Sequence, residues 1–477
     1  MTTLNERNIG PILFFRGFAA GRLQLAALVI QCGHCPVPSV SDDTGPVAAE
    51  SLAQCRDIQV LRYCLSLPAR SGAAYRYNGA RYALNADFQN DLRIAFVACN
   101  GKERGDQERD PVTRNALWRR LGSEHARAPF QLLLHGGDQL YADEMLDAHA
   151  VAQDWIRQRD LSPPDSGTLA IMEQRLRADL FQRYAQLYAQ NDPSWLMARV
   201  PSLCIWDDHD ICDGWGSLTP EQLDHPVGQS VFRVARECFL LFQQASTAEA
   251  LPQHFLDRSG TSLSWSVRTP GLSIIAPDLR SERRPDRVMG PHGHRALRQA
   301  LHAARGDRIL LLSSVPALGP RLSWIEKLLM WIPKLQKYED DLRDQWQSRA
   351  HRVEWQSFLR DLIESHGPKP AAVTALSGEI HLATRGTLDS AAGPLHQLVS
   401  SGVAHPPPPE AYARALGWLA RFGESPLPNH RLRLLPLPGL RDVYTAERNY
   451  LVLERQRDAW SAAWELEHSG RTPALRI

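Results

Sequence analysis

The chain lacks the features that mark several common protein classes, and each absence narrows what it does. No membrane-spanning or export segment stands near its start. The longest N-terminal apolar run, residues 23–30, falls far short of the roughly 20 residues that cross a bilayer and has no signal-peptide flanks. A cytoplasmic protein with no membrane span is the expectation. An excess of either charge is also missing: 54 Lys and Arg against 53 Asp and Glu leave a net charge of +1. No global field draws a polyanion, so nucleic acid is not expected as a partner. Cysteine is sparse, eight residues in 477, which excludes a disulfide scaffold and suits a reducing compartment. Internal repeats and low-complexity tracts are absent as well, and the composition, 43% apolar and 22% charged, is that of an ordinary globular protein.

Two of the few cysteines form Cys32-Gly33-His34-Cys35, a spacing shared with thioredoxin-like redox motifs. That chemistry requires a helix directly after the motif to lower a thiolate pKa. Pro36, Pro38 and the polar stretch 39–46 follow instead, so the reading is of two thiols at the end of a strand, without a redox role.

The length accommodates about two domains. Up to about Asn90, short apolar stretches (23–30 and 58–67), Pro, Gly and Ser clusters and the alternation Tyr75, Tyr77, Tyr82 predict a small β-rich N-terminal domain, residues 1–90. From Arg93 the pattern changes to brief buried strands at 94–98, 132–134, 203–206, 309–312 and 373–376. Amphipathic helices intervene, one of them carrying Val231, Val234, Cys238 and Leu241 at helical spacing. Strands alternating with helices predict an α/β domain over residues 91–477 whose ligands gather at the carboxyl ends of the strands. Residues 324–332 are apolar and Trp-containing, and residues 334–351 strongly charged; they read either as a helical cover over a site or as a surface helix. Pro406 to Pro409 is a stiff turn.

Three strand ends hold most of the chemistry. His135-Gly136-Gly137-Asp138-Gln139-Leu140-Tyr141-Ala142-Asp143 uses paired glycines to turn sharply and present Asp138. Trp206-Asp207-Asp208-His209-Asp210 concentrates three carboxylates around one imidazole, with Asp213 close behind. Ser377-Gly378-Glu379-Ile380-His381 repeats a carboxylate and an imidazole after a buried strand. Singly, each is a commonplace turn or solvated loop. Three in order at successive strand ends would converge on one edge. Carboxylates and imidazoles suit divalent and trivalent metals, and a two-metal clamp activates water while holding a phosphoryl group.

These motifs resemble those of the calcineurin-like metallophosphoesterases, whose Gly-Asp is matched at Gly137-Asp138 and whose Asn-His-Asp/Glu cluster is replaced by Asp208-His209. The first-strand Asp-x-His and the final Gly-His-x-His are absent, departures that mark the PhoD-like (alkaline phosphatase D) branch. The resemblance runs from about Arg93 to Leu453. It includes Ala98-Cys99-Asn100, where PhoD-like enzymes place a metal-binding cysteine, and Glu379 in place of their aspartate. It also includes Asp278-Leu279-Arg280-Ser281-Glu282-Arg283, similar to their Asp-x-Arg-x-x-Arg. The twin-arginine export signal typical of secreted PhoD enzymes is not present.

The resemblance implies a two-sheet αββα sandwich and a metal-dependent phosphatase or phosphodiesterase acting on a small phosphorylated substrate. Two or more metal ions, from among iron, calcium, manganese and zinc, are implied at Cys99, Asp138, Asp208 and Glu379. Asp138 would bridge them, and Asp207 would be a further ligand or orient one. Water attacks in line, His209 protonates the leaving oxygen and Arg280 holds the non-transferred oxygens. Asn100, His381 and His405 are further site candidates, and Tyr141 and Tyr184 are rival positions for an iron-binding tyrosine. The alternative is a non-catalytic protein that keeps the fold and metals and only binds a phosphorylated ligand or a partner. The choice between monoester and diester, and the oligomeric state, are not encoded in these motifs.

Overall fold

The computed structural model describes residues 6–101, 109–159, 161–320, 345–368, 371–421 and 423–477. Residues 324–332 and most of the charged run that follows lie outside the described residues.

Three strands read from apolar runs form the centre of an 11-stranded sheet: Leu92–Val97, Leu132–Gly136 and Ser202–Ile205. They are parallel, with Leu133 opposite both Ala95 and Ser202. Both of their faces are covered, which is why they read as continuous apolar runs without alternation. On one side the sheet continues through Asn449–Gln456, Ala459–Leu466 and Gly470–Arg471, with Leu475–Arg476 also pairing to Ala459–Leu466.

On the other side the N-terminal β-rich region joins the same sheet. Arg7–Ala19 pairs parallel to Ser202–Ile205, and Arg22–Cys32, Ile58–Pro68 and Glu50–Cys55 follow in antiparallel order. The turn between the first two strands is the dipeptide Ala20-Gly21, both at positive φ (50° and 72°), the geometry that matches the twist of a two-residue hairpin. Val40–Asp42, Gly45–Val47, Ser71–Tyr77 and Ala80–Asn85 form a separate four-stranded sheet. One hydrogen-bonded sheet therefore runs through both the N-terminal β-rich region and the strands that follow Asn90.

The second main sheet has eight strands, in the order Trp265–Thr269, Leu272–Ala276, Arg308–Ser313, Val373–Ser377, Leu395–Val399, Thr384–Leu388, His430–Leu435 and Glu424–Leu427. Its central four strands, from Leu272–Ala276 to Leu395–Val399, are parallel. Period-two alternation divides each strand between two cores. Leu310 and Leu312 join one core with Ile94, Phe96 and Leu134 of the first sheet. Ile309 and Leu311 pack with Leu297, Trp355 and Phe358 from helices Pro291–Ala303 and Arg352–Ser365. The first sheet is flanked in turn by helices Ala116–Arg127, Ser166–Tyr188 and Pro226–Gln244. Pro226 opens the last of these at its first position, where no N–H is missed, and Ala245 closes it in the left-handed region (φ 43°). The result is an αββα sandwich with a β-rich N-terminal region, as the motifs predict.

Glycine brings the two sheets together at one edge. A Cβ on Gly378 would lie 2.5 Å from the Ala98 Cβ and 3.2 Å from the Gly136 carbonyl, and one on Gly137 would lie 2.8 Å from the Asp207 Cβ. Any side chain at either position would push the strand ends apart.

Candidate metal centre

The loops that leave the parallel strands at this edge carry the chemistry. Four of their residues other than glycine sit in the left-handed region: Cys99 (φ 54°), Asp138 (56°), Glu379 (64°) and His381 (52°). That conformation is uncommon for such residues and persists where the surroundings over-determine it. Here the backbone is cross-tied: Cys99 N donates to Gly137 O (3.1 Å), Asn100 N to Asp138 O (2.8 Å) and His405 N to Cys99 O (3.1 Å). Asp210 fastens the third loop, its carboxylate accepting from the backbone N–H of Asp138, Leu140 and Asp207 and from Gln243 Nε2.

Among the described residues, three groups bring metal-ligating atoms within 4.8 Å of one another: Cys99, Asp138 and His381; Asp138, Asp207 and Asp208; and Asp208, His209 and Asp213. Asp138 is common to the first two and Asp208 to the last two. Burial, and then the charges of Asp207 and Asp208, push the Asp138 carboxyl well above the ordinary carboxylate range. Burial followed by Asp138 does the same to the Cys99 thiol. Both shifts express burial first and, added to it, the negative charge of neighbouring carboxylates. Asp138 Oδ1 is buried and meets no hydrogen-bond donor among the described residues. An orphaned oxygen in a cluster of three carboxylates, beside a thiol and an imidazole, fits a bound cation.

His381 is held neutral: burial, then the neighbouring imidazoles of His405 and His209, keep it well below the usual histidine range. Its backbone N–H donates to Ser401 Oγ (2.9 Å), and the Ser401 hydroxyl donates to Cys99 Sγ (3.2 Å). The Tyr141 hydroxyl lies 3.0 Å from His381 Nε2, its ring stacks on His209 with centroids 4.2 Å apart, and His405 stacks on His381 at 3.7 Å. His209 is tied by Nδ1 to Asp143 Oδ2 at 2.8 Å. Burial opposes its charged form, but Asp143 and Asp208 outweigh burial and lift the imidazole well above its ordinary value. Asp143 correspondingly stays below the carboxylate range despite its own burial.

Arg280 is fully buried, paired to Asp207 through Nε, to Asp208 at 3.3 Å and to the Trp215 carbonyl at 3.1 Å. Its guanidinium is an internal counter-charge for the two aspartates and lines neither of the two cavities described below. The Glu379 carboxylate accepts both bonds from Gln345 Nε2 (2.9 and 2.8 Å) and belongs to none of the three groups; His381 stands beside Cys99 and Asp138 instead. Tyr184 bonds Gln243 (3.0 Å), behind Asp210, whereas Tyr141 reaches the centre. Asn100 is buried and accepts from Trp118 Nε1 (2.8 Å), a brace for the Cys99 loop.

Sequence reasoning missed the parts played by Asp143, Ser401, Ser314 and Gln345. Asp143 stood inside the Gly-Asp motif and Ser401 inside the loop ending at His405, so both were within reach. Ser314, which donates to Asp207 (2.8 Å), and Gln345 are neutral polar residues in loops and carry no such signal. At the far end of Arg22–Cys32, burial pushes the Cys32 thiol up to about 11, and Cys35 Sγ donates to the Cys32 carbonyl at 3.3 Å.

Among the described residues, two cavities lined by His209 and Asp213 adjoin the centre. One of about 420 Å3 contains Asp138, Asp208, Glu379, His381 and His405. The other, about 580 Å3, is lined by Asp143, Glu144, Asp147 and Arg157.

A two-sheet sandwich whose parallel strand ends gather carboxylates, imidazoles and a thiol at one edge defines a class of αββα proteins suited to holding metal ions. Within that class the chain belongs to the PhoD related phosphatase family, whose profile matches residues 89–338. The solved structure of PhoD shares the fold with a TM-score of 0.59 at 12% identity, the likeness covering 100% of this chain and 90% of that one. An uncharacterized protein of Saccharomyces cerevisiae, YGR266W, is 23% identical over 362 residues, which are 63% of this chain and 51% of the yeast protein. The chain thus spans about half the length of that curated relative. A dimetal phosphatase from Danio rerio shows a slighter likeness, with a TM-score of 0.34 at 10% identity over 81% of this chain and 98% of its own.

Proposed function

We propose that the protein is a metal-dependent hydrolase of phosphoesters, with its metals held around Asp138. The observation that carries this reading is the buried Asp138 Oδ1, without a donor among the described residues, at the point shared by two ligand groups. Cys99, Asp138 and His381, with Tyr141 alongside, would hold one ion; the thiol favours iron or zinc over magnesium. Asp208, together with Asp138, would hold a harder ion such as calcium or manganese. Bound ions supply the Lewis acidity that polarises a phosphoryl oxygen and makes a water nucleophilic at neutral pH.

The chain's own residues do the rest. Arg280 neutralises part of the Asp207 and Asp208 charge and locks both carboxylates in place. His209, kept protonated by Asp143, has Nε2 to give a proton to the leaving oxygen. Asp143 then keeps the neutral imidazole in one orientation for the next cycle. Glu379, tethered by Gln345 at the cavity wall, shapes the entrance without ligating metal.

The test is hydrolysis of aryl phosphomonoesters and phosphodiesters by the purified chain, supplied with iron, calcium, manganese or zinc, before and after chelation. The reading expects turnover that chelation abolishes and metal restores. Stoichiometric metal without turnover on any ester would favour a protein that only binds phosphorylated ligands.

A further inference from the structure

The cavity of about 420 Å3 beside the metal centre has two unlike kinds of lining. Asp138, Asp208, His209 and His381 form the first. The second is apolar, formed by Pro316, Leu318, Ile380, Leu382, Tyr412 and Leu416. Among the described residues that line the cavity there is no lysine or arginine.

The apolar lining is built. Helix Glu410–Ala420 buries Ala413, Gly417 and Ala420, and at Gly417 it faces Val443 and Tyr444. With that face committed, Tyr412 and Leu416, one turn apart, form a wall of the cavity. Leu318 and Leu382, both buried, form other parts of it.

We infer that this apolar lining binds an uncharged apolar substituent of the phosphoester substrate, an alkyl or aryl group attached through oxygen to the phosphorus held at the metal centre. Continuity with the metal-ligating carboxylates identifies the occupant as part of the substrate. The charge pattern narrows its chemistry. Among the described lining residues, a second phosphate or a carboxylate on the substrate would meet Glu379 and Asp213 without a lysine or arginine beside them, whereas an apolar group gains by leaving water. The inference rests on the hydrolase reading above, and its test separates the two.

Binding of methylphosphonate and hexylphosphonate to the metal-loaded protein is measured by calorimetry, and kcat/KM is measured for methyl and hexyl p-nitrophenyl phosphate. In these diesters water adds to phosphorus, the P–O bond to the aryl group breaks and p-nitrophenolate leaves, so the alkyl arm stays on phosphorus. Hexylphosphonate is expected to bind at least about tenfold more tightly than methylphosphonate, with the same order in kcat/KM. The ratio should shrink toward one in Leu416→Gln, or in Tyr412→Gln if the first variant proves unstable in a thermal melt. It should persist in Arg414→Gln on the exposed face of the same helix. Equal affinities for the two phosphonates, or a ratio untouched by both cavity variants, would overturn the subsite. A length-dependent affinity in a protein that hydrolyses no ester would keep the subsite and overturn the hydrolase reading.

Discussion

Asp143 Oδ2 lies 2.8 Å from Nδ1 of His209, and this pair sets the orientation and charge of an imidazole that borders both cavities. Asp143 itself is fastened from below, accepting the Asp213 backbone N–H at its other oxygen.

If His209 protonates the leaving oxygen, its loss matters in proportion to how much the leaving group needs a proton. His209→Gln should slow hydrolysis of an alkyl ester by about 10²-fold or more and of a p-nitrophenyl ester much less. Asp143→Asn should show the same selectivity, and the double variant should be little worse than either single one. Equal losses on both esters would instead point to a ligand role for His209.

Arg280 is fully buried between Asp207 and Asp208. Removing one partner of such a pair leaves uncompensated charge, at a cost of about 3–5 kcal/mol. Arg280→Met should lose stability on that scale in urea denaturation, and added calcium or manganese should restore part of it by supplying the missing positive charge. A variant as stable as the parent protein in chelator would show that the pair carries little of the fold.

His125 gives a pH dependence away from the metal centre. Its Nδ1 accepts the Phe130 backbone N–H (3.1 Å), and burial, with Arg199 and Arg93 adding to it, holds its pKa near 4. In the unfolded chain the value is about 6.5. Below that pH the unfolded state takes up a proton that the folded state refuses until about pH 4, so folding stability falls as pH drops through this window. Urea midpoints at pH 7 and pH 5 should differ less in His125→Gln than in the parent protein. An unchanged difference would mean that other groups govern the slope.

The parts of this structure that sequence revealed are those governed by local rules. Apolar runs located the strands at Leu92–Val97, Leu132–Gly136, Ser202–Ile205, Arg308–Ser313 and Val373–Ser377, and the spacing of Val231, Val234, Cys238 and Leu241 found the buried face of helix Pro226–Gln244. Motifs at those strand ends pointed to Asp138, Asp208 and His209 because a parallel sheet must deliver its strand ends to one edge, and Cys99 came from the resemblance to PhoD-like enzymes. Long-range pairing was not legible. Nothing in the local pattern of Arg7–Ala19 announces a parallel partner in Ser202–Ile205. Side-chain direction was equally hidden: a motif arginine reads alike whether it faces a ligand, as expected of Arg280, or turns inward to two aspartates. The same holds for Glu379 and His381, two residues apart, since only the three-dimensional path decides which one reaches Cys99.

The central claim is a metal centre built on Cys99 and Asp138, and elemental analysis of the Cys99→Ser variant tests it most directly. A cysteine that is merely a small buried hydrophobe would cost some stability and leave metal and rate untouched. As a ligand it should take metal and turnover down together by at least about tenfold while circular dichroism shows the fold intact. Full metal content and a normal rate in the folded variant would contradict the account.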